Sequence, residues 1–378
     1  MAISRYILLG FIWFLTVPNS NAQKLEEVLR PFLNFKTLSY TGNLVEKGVL
    51  DDKLYRNTIK ASFDYSGKDS VQKVYKKAYA AWRDANKLIT LDYSDSTYKV
   101  KERNEYTGPI DDSFIERIKR TANKYPTFLK EIPKRDSVLD GKTYYLYEFT
   151  PYDSVSNNKR FYETTKLLVD KKTFVPALYR FEFATTLMDN VTYVTYFVDQ
   201  YLHNIRINDP NFKDISDMTL PANFKSYVPK KRLPMLVEGT DVPSLSFLDQ
   251  EQQPLDLTNF KGKVILLNIS LVACPHSVNS VKMLNDFHHT YGDQNLVIIS
   301  VYPVDAAEDV QHMVAKFNIE YPYYQNTKNT QVQLKEFQTS GYPAFYVIDK
   351  NAKIKAGFEG YSDEIAKKIK AKIEQSIL

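Results

Sequence analysis

A continuous apolar run ends a few residues before the only cysteine of this 378-residue chain, and this stretch constrains the fold most. Residues Val264–Ile269 read V-I-L-L-N-I and follow Gly262 and Lys263. A short run of this kind, rich in β-branched residues, is typical of a strand that is buried on both faces of a sheet. The sequence therefore predicts a central strand that leads into Cys274.

The residues around Cys274 predict that a helix begins there. Pro275 suits the first turn of a helix, because the N–H that proline lacks is unpaired at that position anyway. A sulfur at a helix N-terminus faces unpaired backbone N–H groups and the positive end of the helix dipole, and both favour thiolate over thiol. A protonated His276 would add a second positive charge. The pattern predicts a reactive cysteine. The alternative is that Cys274 is only a small, buried hydrophobic residue.

Two motifs far apart in the chain resemble the thioredoxin-like domains of TlpA- and ResA-type envelope thiol:disulfide oxidoreductases. Residues 249–268 read D-Q-E-Q-Q-P-L-D-L-T-N-F-K-G-K-V-I-L-L-N and match the segment that precedes the cysteine helix of that family. Residues 341–353 read G-Y-P-A-F-Y-V-I-D-K-N-A-K and match the loop that faces this helix. The resemblance implies a thioredoxin-like α/β domain, AhpC/TSA-like, over residues 238–378.

The active-site motif departs from the family pattern, in which a second cysteine resolves the mixed disulfide. The tetrad is C-P-H-S, so Ser277 occupies the place of that second cysteine. The resemblance implies a nucleophilic Cys274, with Pro275 at the helix start and His276 as thiolate stabiliser. Ser277 is then a hydroxyl neighbour that cannot resolve a mixed disulfide, because resolution needs a thiol. Ser280 stands where ResA-like members carry a proton-relaying glutamate.

A proline loop from much later in the chain completes the predicted site. The resemblance implies a cis bond between Tyr342 and Pro343, with backbone groups that pair with an extended substrate. A trans turn proline is the alternative. A peroxidatic site is disfavoured, because Leu271 and Leu267 stand where peroxiredoxin-type sites carry Thr or Ser and Pro.

Alternating apolar and polar residues in the N-terminal half predict an antiparallel sheet, including one strand over residues 74–82. Residues 140–151 (D-G-K-T-Y-Y-L-Y-E-F-T-P) and 166–177 (K-L-L-V-D-K-K-T-F-V-P-A) resemble LolA-type lipoprotein carriers, in which a curved antiparallel half-barrel covers helices and shelters acyl chains. The resemblance implies an apolar or lipid ligand. We favour a filled core that acts as a spacer or docks a partner, because aromatic rows at alternate positions are ordinary sheet packing.

These patterns together predict an α+β protein of two domains. We expect the LolA-like β domain at residues 23–227, a linker at 228–237 and the thioredoxin-like domain at 238–378. The predicted function is thiol–disulfide exchange through one cysteine, with protein thiols and disulfides of the envelope as partners. The alternative is a redox-inactive envelope protein that binds an apolar ligand or a protein in a chaperone-like way, so the sequence leaves open whether the chain is an enzyme.

The N-terminus resembles a secretory signal peptide, because Arg5 precedes an apolar run over residues 6–17. The polar segment that follows ends in Ser20-x-Ala22, the small-residue pattern of a cleavage site. The run is too short for a permanent membrane span. We therefore expect cleavage after Ala22 and a periplasmic or secreted protein. In such an oxidising compartment Cys274 is free, capped or paired between molecules.

Charge and histidine spacing argue against two other classes of function. Lysine and arginine number 50 against 45 aspartate and glutamate, and this small, dispersed excess does not predict nucleic acid binding. His288 and His289 are adjacent on a predicted helix, so their side chains point about 100° apart and cannot share a metal from one face. The sequence predicts neither a metal nor a cofactor.

Overall fold

The computed structural model describes residues 24–67, 70–105, 113–130, 132–187, 192–229, 234–244, 247–325 and 335–378. Within them the chain falls into two units. The first comprises the described residues of Met1–Lys47, Leu54–Thr185 and Thr195–Pro229, and the second those of Gly48–Lys53, Thr186–Val194 and Lys230–Leu378. The predicted signal peptide and residues 230–233 of the predicted linker lie outside the described residues.

The first unit contains a sheet of twelve strands. In chain order they are β1 Thr37–Lys47, β2 Leu54–Asp64, β3 Val71–Lys76, β4 Tyr79–Arg83, β5 Lys87–Asp92, β6 Thr97–Glu102, β7 Lys134–Leu139, β8 Lys142–Ser156, β9 Lys159–Asp170, β10 Pro176–Thr186, β11 Tyr193–Ile207 and β12 Lys225–Ser226. Their spatial order is β12-β6-β5-β4-β3-β2-β1-β11-β10-β9-β8-β7. The two-residue β12 pairs in parallel with β6, whereas β1 pairs antiparallel with both β2 and β11. The sheet therefore ends at β12 and β7 and does not close into a barrel.

Two helices pack against this sheet, α1 Leu25–Leu33 and α2 Phe114–Lys124. The side chain of Ser113 starts α2 by accepting the amide N–H of Glu116. The helices contribute to one apolar cluster the buried side chains Leu25, Val28, Leu29, Phe32, Phe114, Ile115 and Ile118. Strand residues such as Tyr40 and Phe63 belong to the same cluster. Helix side chains therefore cover this part of the sheet, while the LolA-type resemblance and its apolar ligand stay predictions.

Two details of the first sheet differ from the prediction. Residues 74–82 form parts of two strands, because the chain turns at Lys77 and Ala78 between β3 and β4. The run V-Y-K-K-A-Y-A-A-W contains no glycine, proline or asparagine to mark that turn. The structure also contains β7, whose residues K-R-D-S-V-L are mostly polar and lack the apolar alternation from which a strand is predicted.

The second unit contains a five-stranded sheet with the thioredoxin-like order. Its strands are β13 Val264–Ile269, β14 Leu296–Tyr302, β15 Tyr323–Gln325, β16 Ala344–Ile348 and β17 Ile354–Glu359. The spatial order is β15-β14-β13-β16-β17. Strands β13, β14 and β15 run parallel, and β16 and β17 continue the sheet antiparallel. All six residues of β13 are buried, as expected for a central strand.

The helices of the second unit are α3 Pro275–Tyr291, α4 Ala307–Phe317 and α5 Asp363–Ile377. Alternate residues of β13 belong to two different apolar clusters, because successive side chains point to opposite faces of a strand. Leu266 lies in the cluster that contains Leu284 of α3 and Ile369 of α5. Leu267 lies in the other cluster, with Phe247 and Phe337. Both faces of the central strand are thus covered, which fixes the position where β13 ends and α3 begins.

The sequence also predicts a helix over residues 331–337 that leads to the Pro343 loop. Residues 331–334 lie outside the described residues, and residues 335–336 are helical. A membrane-spanning segment would need a long apolar helix, and the described part of the chain holds no helix that meets this requirement.

Candidate functional site

Cys274 lies at the N-cap of α3, directly after a sharp turn from β13. The preceding residue, Ala273, adopts the left-handed backbone conformation with a φ of 59°, which costs a non-glycine residue about 1 kcal/mol. Pro275 occupies the first turn of the helix. The carbonyl of Cys274 accepts the amide N–H of Val278, 3.0 Å away. The cysteine side chain is therefore presented at the start of α3, where the first N–H groups of a helix have no partner within the helix.

The loop before β16 brings Tyr342 to this sulfur. The Tyr342–Pro343 peptide bond is cis. The Sγ atom of Cys274 lies 3.7 Å from the carbonyl oxygen of Tyr342, toward which a thiol donates weakly. The carbonyl of Pro343 in turn accepts the N–H of Gly360, 2.7 Å away, which ties the loop to the end of β17. Cys274 is half-buried and free, so the structure brings a partly accessible thiol together with the backbone of the proline loop.

The last two residues of the tetrad lie in different surroundings. His276 is exposed in the first turn of α3. Ser277 is only 1% exposed, and its hydroxyl oxygen accepts the amide N–H of Leu271, 3.3 Å away. Ser280, one turn further along, is also buried and donates its hydroxyl hydrogen to the carbonyl of Ser277 at 2.8 Å. Both serines are thus engaged with backbone atoms around the cysteine turn.

Asp305, which sequence analysis did not single out, also binds this turn. Its Oδ2 atom accepts the amide N–H of Val272, 3.1 Å away. Burial raises the pKa of Asp305 to about 6; the Val272 N–H and the charge of Lys53 lower it, and the charge of Asp309 raises it. The residues P-V-D at 303–305 follow the buried strand β14 at the carboxyl edge of the parallel strands, where α/β proteins place ligand sites. That position was the available signal.

Asp305 also acts electrostatically on two tyrosines. Burial raises the pKa of Tyr342, and the negative charge of Asp305 raises it further. Tyr302 is fully buried at the end of β14, and its pKa is likewise raised by burial first, with a contribution from Asp305. A cavity of about 470 Å³ begins beside Asp305 and is lined by Leu248, Gln252, Val304, Ala306 and Gln325. The carboxylate therefore lies close to both loops of the site and next to an open groove.

The described histidines do not assemble a metal site. His289 contacts the carboxylate of Glu320, and the ring centroid of His288 lies 5.9 Å from that of His289. Within the part of the chain that the structure describes, no group of three histidine, cysteine, aspartate or glutamate side chains is arranged to hold a metal ion.

A family model assigns this region of the chain. Residues 239–356 match the AhpC/TSA family. The C-terminal domain is a thioredoxin-like domain of the AhpC/TSA family. This assignment agrees with the parallel and antiparallel pairings of β13 to β17 and confirms the resemblance drawn from the two motifs.

Curated relatives of the AhpC/TSA domain are similar in the same region. The chain is 25% identical over 117 residues to the thiol-disulfide oxidoreductase ResA of Geobacillus thermodenitrificans. The aligned residues cover 31% of this chain and 66% of that protein. It is 22% identical over 136 residues to ResA of Bacillus cereus, which covers 34% of this chain and 78% of that protein. The chain thus spans just under two thirds of the length of the first of these relatives.

Solved structures also align with the AhpC/TSA domain. The thiol:disulfide interchange protein DsbE from Chlorobium tepidum aligns with a TM-score of 0.35 and 15% identity, over 38% of this chain and 99% of that chain. The thioredoxin domain of a thiol-disulfide oxidoreductase from Bacteroides vulgatus aligns with a TM-score of 0.34 and 19% identity, over 36% of this chain and 99% of that chain.

Proposed function

We propose that the AhpC/TSA domain performs thiol–disulfide exchange on protein substrates through Cys274 alone. The observation that supports this most directly is the position of the sulfur, at the start of α3 and 3.7 Å from the carbonyl oxygen of Tyr342. The names of the curated relatives support the same reaction class. Ser277 carries no thiol, so the proposed chemistry uses a mixed disulfide between Cys274 and the substrate.

The proposed reaction balances without an internal disulfide. The thiolate of Cys274 attacks one sulfur of a substrate disulfide R–S–S–R′, the S–S bond breaks, and R′–S⁻ leaves with the electron pair. Cys274 then holds R as a mixed disulfide. A second substrate thiolate, R″–S⁻, attacks the sulfur of R, releases Cys274 as a thiolate and leaves R–S–S–R″. The cycle moves disulfides between substrates and needs no net oxidant or reductant.

The other predicted site residues have distinct parts in this proposal. Pro275 starts the helix whose N–H groups stabilise the thiolate. A protonated His276 adds positive charge in the same turn and is exposed to the substrate. The backbone of Tyr342, held beside the sulfur with Pro343, pairs with an extended substrate segment. Ser277 has a positioning role, since its hydroxyl holds the turn rather than facing the substrate.

The single cysteine makes the central test direct. Glutathione disulfide is expected to place one glutathione on the chain, seen by intact mass, and an excess of free thiol is expected to remove it. Cys274→Ser is the control and should give no adduct. A free cysteine has a pKa of about 8.5. Alkylation that proceeds well below this pH supports the proposal. Slow alkylation confined to alkaline pH, without a glutathione adduct, would overturn it and favour the redox-inactive binding protein.

The contribution of His276 needs its own comparison. His276→Ala is expected to slow alkylation at pH 6 about threefold, because it removes a side chain that favours the thiolate when it is charged. His288→Ala removes a histidine from the far end of the same helix and should leave the rate unchanged. Equal rates for both variants at pH 6 would remove His276 from the mechanism.

The proposal also covers location and the first unit. We propose that the chain is exported and cleaved after Ala22, which N-terminal sequencing of the secreted protein tests. We propose a scaffold or partner-docking role for the first unit, supported by the side chains of α1 and α2 that pack on its sheet. A fluorescent fatty acid is then expected to show no saturable binding to the chain. Saturable binding would instead favour the LolA-like alternative.

A further inference from the structure

Asp305 is a titratable side chain that binds the turn carrying Cys274. It follows β14, whereas the turn follows β13, and the parallel pairing of these strands places the two loops at the same edge of the sheet. The carboxylate accepts the N–H of Val272, two residues before Cys274. The first turn of α3 contains no acidic residue, so this carboxyl comes to the cysteine from another element.

We propose that Asp305 is a proton-linked positioning residue for Cys274: its carboxylate holds the turn in the geometry that presents the sulfur at the helix N-terminus, and protonation of that carboxylate loosens the turn. This inference rests on the exchange function proposed above and adds a regulation of the same thiol. Asp305 has no part in bond breaking or formation.

The strength of the Asp305 contact depends on its charge. A hydrogen bond from an N–H to a carboxylate is roughly twice as strong as one to a neutral acceptor. Ala273 lies between Val272 and Cys274 and holds an unfavourable left-handed conformation, so the turn needs contacts that oppose its relaxation. The hydroxyl of Ser277 supplies one such contact at Leu271 and does not titrate. Of these two contacts to the turn, the one from Asp305 responds to pH.

The groups around Asp305 set the pH range of this response. Burial raises the pKa of Asp305 to about 6, so the carboxylate is largely ionised at pH 7.5 and largely protonated at pH 5. Asp309 on α4 opposes its ionisation and Lys53 favours it, and these two side chains form an ion pair with each other at 2.6 Å. Tyr302 and Tyr342 also face this charge but stay neutral, because their own pKa values are raised.

The test measures the rate of alkylation of Cys274 in the full chain from pH 5 to pH 9. Loss of the thiolate alone lowers the logarithm of the rate with a slope of one per pH unit. If protonation of Asp305 also loosens the turn, the slope rises above one below about pH 6. A wild-type slope of one would overturn the proposal. A slope below one would also overturn it, because the charge of Asp305 would then act mainly by repelling the thiolate.

Two variants separate the contact from general damage to the fold. Asp305→Asn keeps an acceptor oxygen of the same size without the charge, and it is expected to react about fivefold more slowly at pH 7.5, with a slope of at most one. Asp309→Asn removes a charge that raises the pKa of Asp305, so it is expected to keep a steep profile that begins at a lower pH than in the wild type. A steep profile that persists in Asp305→Asn contradicts the assignment.

The result is independent of the exchange reaction itself. Alkylation reports the presentation of the sulfur even if Cys274 forms no mixed disulfide at any pH. A chain that lacks the glutathione adduct but shows the steep profile would overturn the proposed function and keep the role of Asp305. A chain that forms the adduct but shows a profile no steeper than that of Asp305→Asn would keep the proposed function and overturn the role of Asp305.

Discussion

The hydroxyl oxygen of Ser277 accepts the amide hydrogen of Leu271 at 3.3 Å and so bridges the two sides of the turn that holds Cys274. Ser277 is almost fully buried and lies three residues after the cysteine, where the family pattern used in the sequence analysis has its second cysteine. The serine thus occupies the same place in the sequence but binds backbone instead of resolving disulfides. This arrangement leads to two predictions on the chemistry and stability of the turn.

Ser277→Cys is expected to form an internal disulfide with Cys274 on mild oxidation. Residues three apart at a helix start have Cα atoms within the range that a disulfide spans. Oxidation should lower the intact mass by two hydrogens and block both thiols against maleimide. Asn279→Cys, five residues from Cys274 on the same helix, is the control and should stay open to maleimide. Two accessible thiols in oxidised Ser277→Cys would contradict the prediction.

Ser277→Ala is expected to lower the free energy of unfolding by about 1–3 kcal/mol, because it leaves the N–H of Leu271 without its acceptor. Ser280→Ala removes only a hydroxyl donor to the Ser277 carbonyl, and its cost should be about 1 kcal/mol or less. Urea unfolding of both variants measures the difference. Equal losses of stability would show that the Leu271 contact has no special weight.

The raised pKa of Asp305 predicts a pH dependence of stability. Its pKa rises from the ordinary 3.8 to about 6 in the folded chain, so the folded state binds the proton more tightly than the unfolded state. The stability from this group is fully present below about pH 4 and is lost as the pH rises through 6. Because part of this carboxyl stays in contact with water, the effect is about 1–2 kcal/mol.

Asp305→Asn cannot ionise, so its free energy of unfolding should change less than that of the wild type between pH 4.5 and pH 7.5. Urea unfolding at these two pH values, with Asp309→Asn as the control, measures the difference. The prediction fails if the wild type and Asp305→Asn show the same pH dependence.

Gly42 in β1 has no room for a side chain. A Cβ atom there would overlap the carbonyl oxygen of Tyr201 and come within 3.2 Å of the side chain of Ile59. Gly42→Ala is therefore expected to lower the free energy of unfolding by about 1–3 kcal/mol, since the paired strands must move apart. Ser39→Ala in the same strand should change it by less than about 0.5 kcal/mol. A neutral Gly42→Ala would indicate that β11 shifts without cost.

The parts of the site that sequence predicted are those encoded within short stretches. The buried run of β13, the proline after Cys274 and the motif around Pro343 each carry a local signal for backbone structure. The position of Asp305 after a buried strand indicates an edge of the sheet, but only the pairing of β14 with β13 brings it to the cysteine turn. Burial of the Ser277 hydroxyl is likewise a property of the assembled turn, and the four-residue motif does not reveal it.

The twelve-stranded sheet ends in short strands at both sides, the two residues of β12 and the six of β7. An unpaired strand edge invites the backbone of a second molecule to extend the ladder. In β7 the charged residues Lys134, Arg135 and Asp136 lie along this edge, and Asp136 forms an ion pair with Lys171 at 2.8 Å. An incoming strand would have to dehydrate these charges, so the sequence of β7 disfavours extension of the sheet by a second molecule.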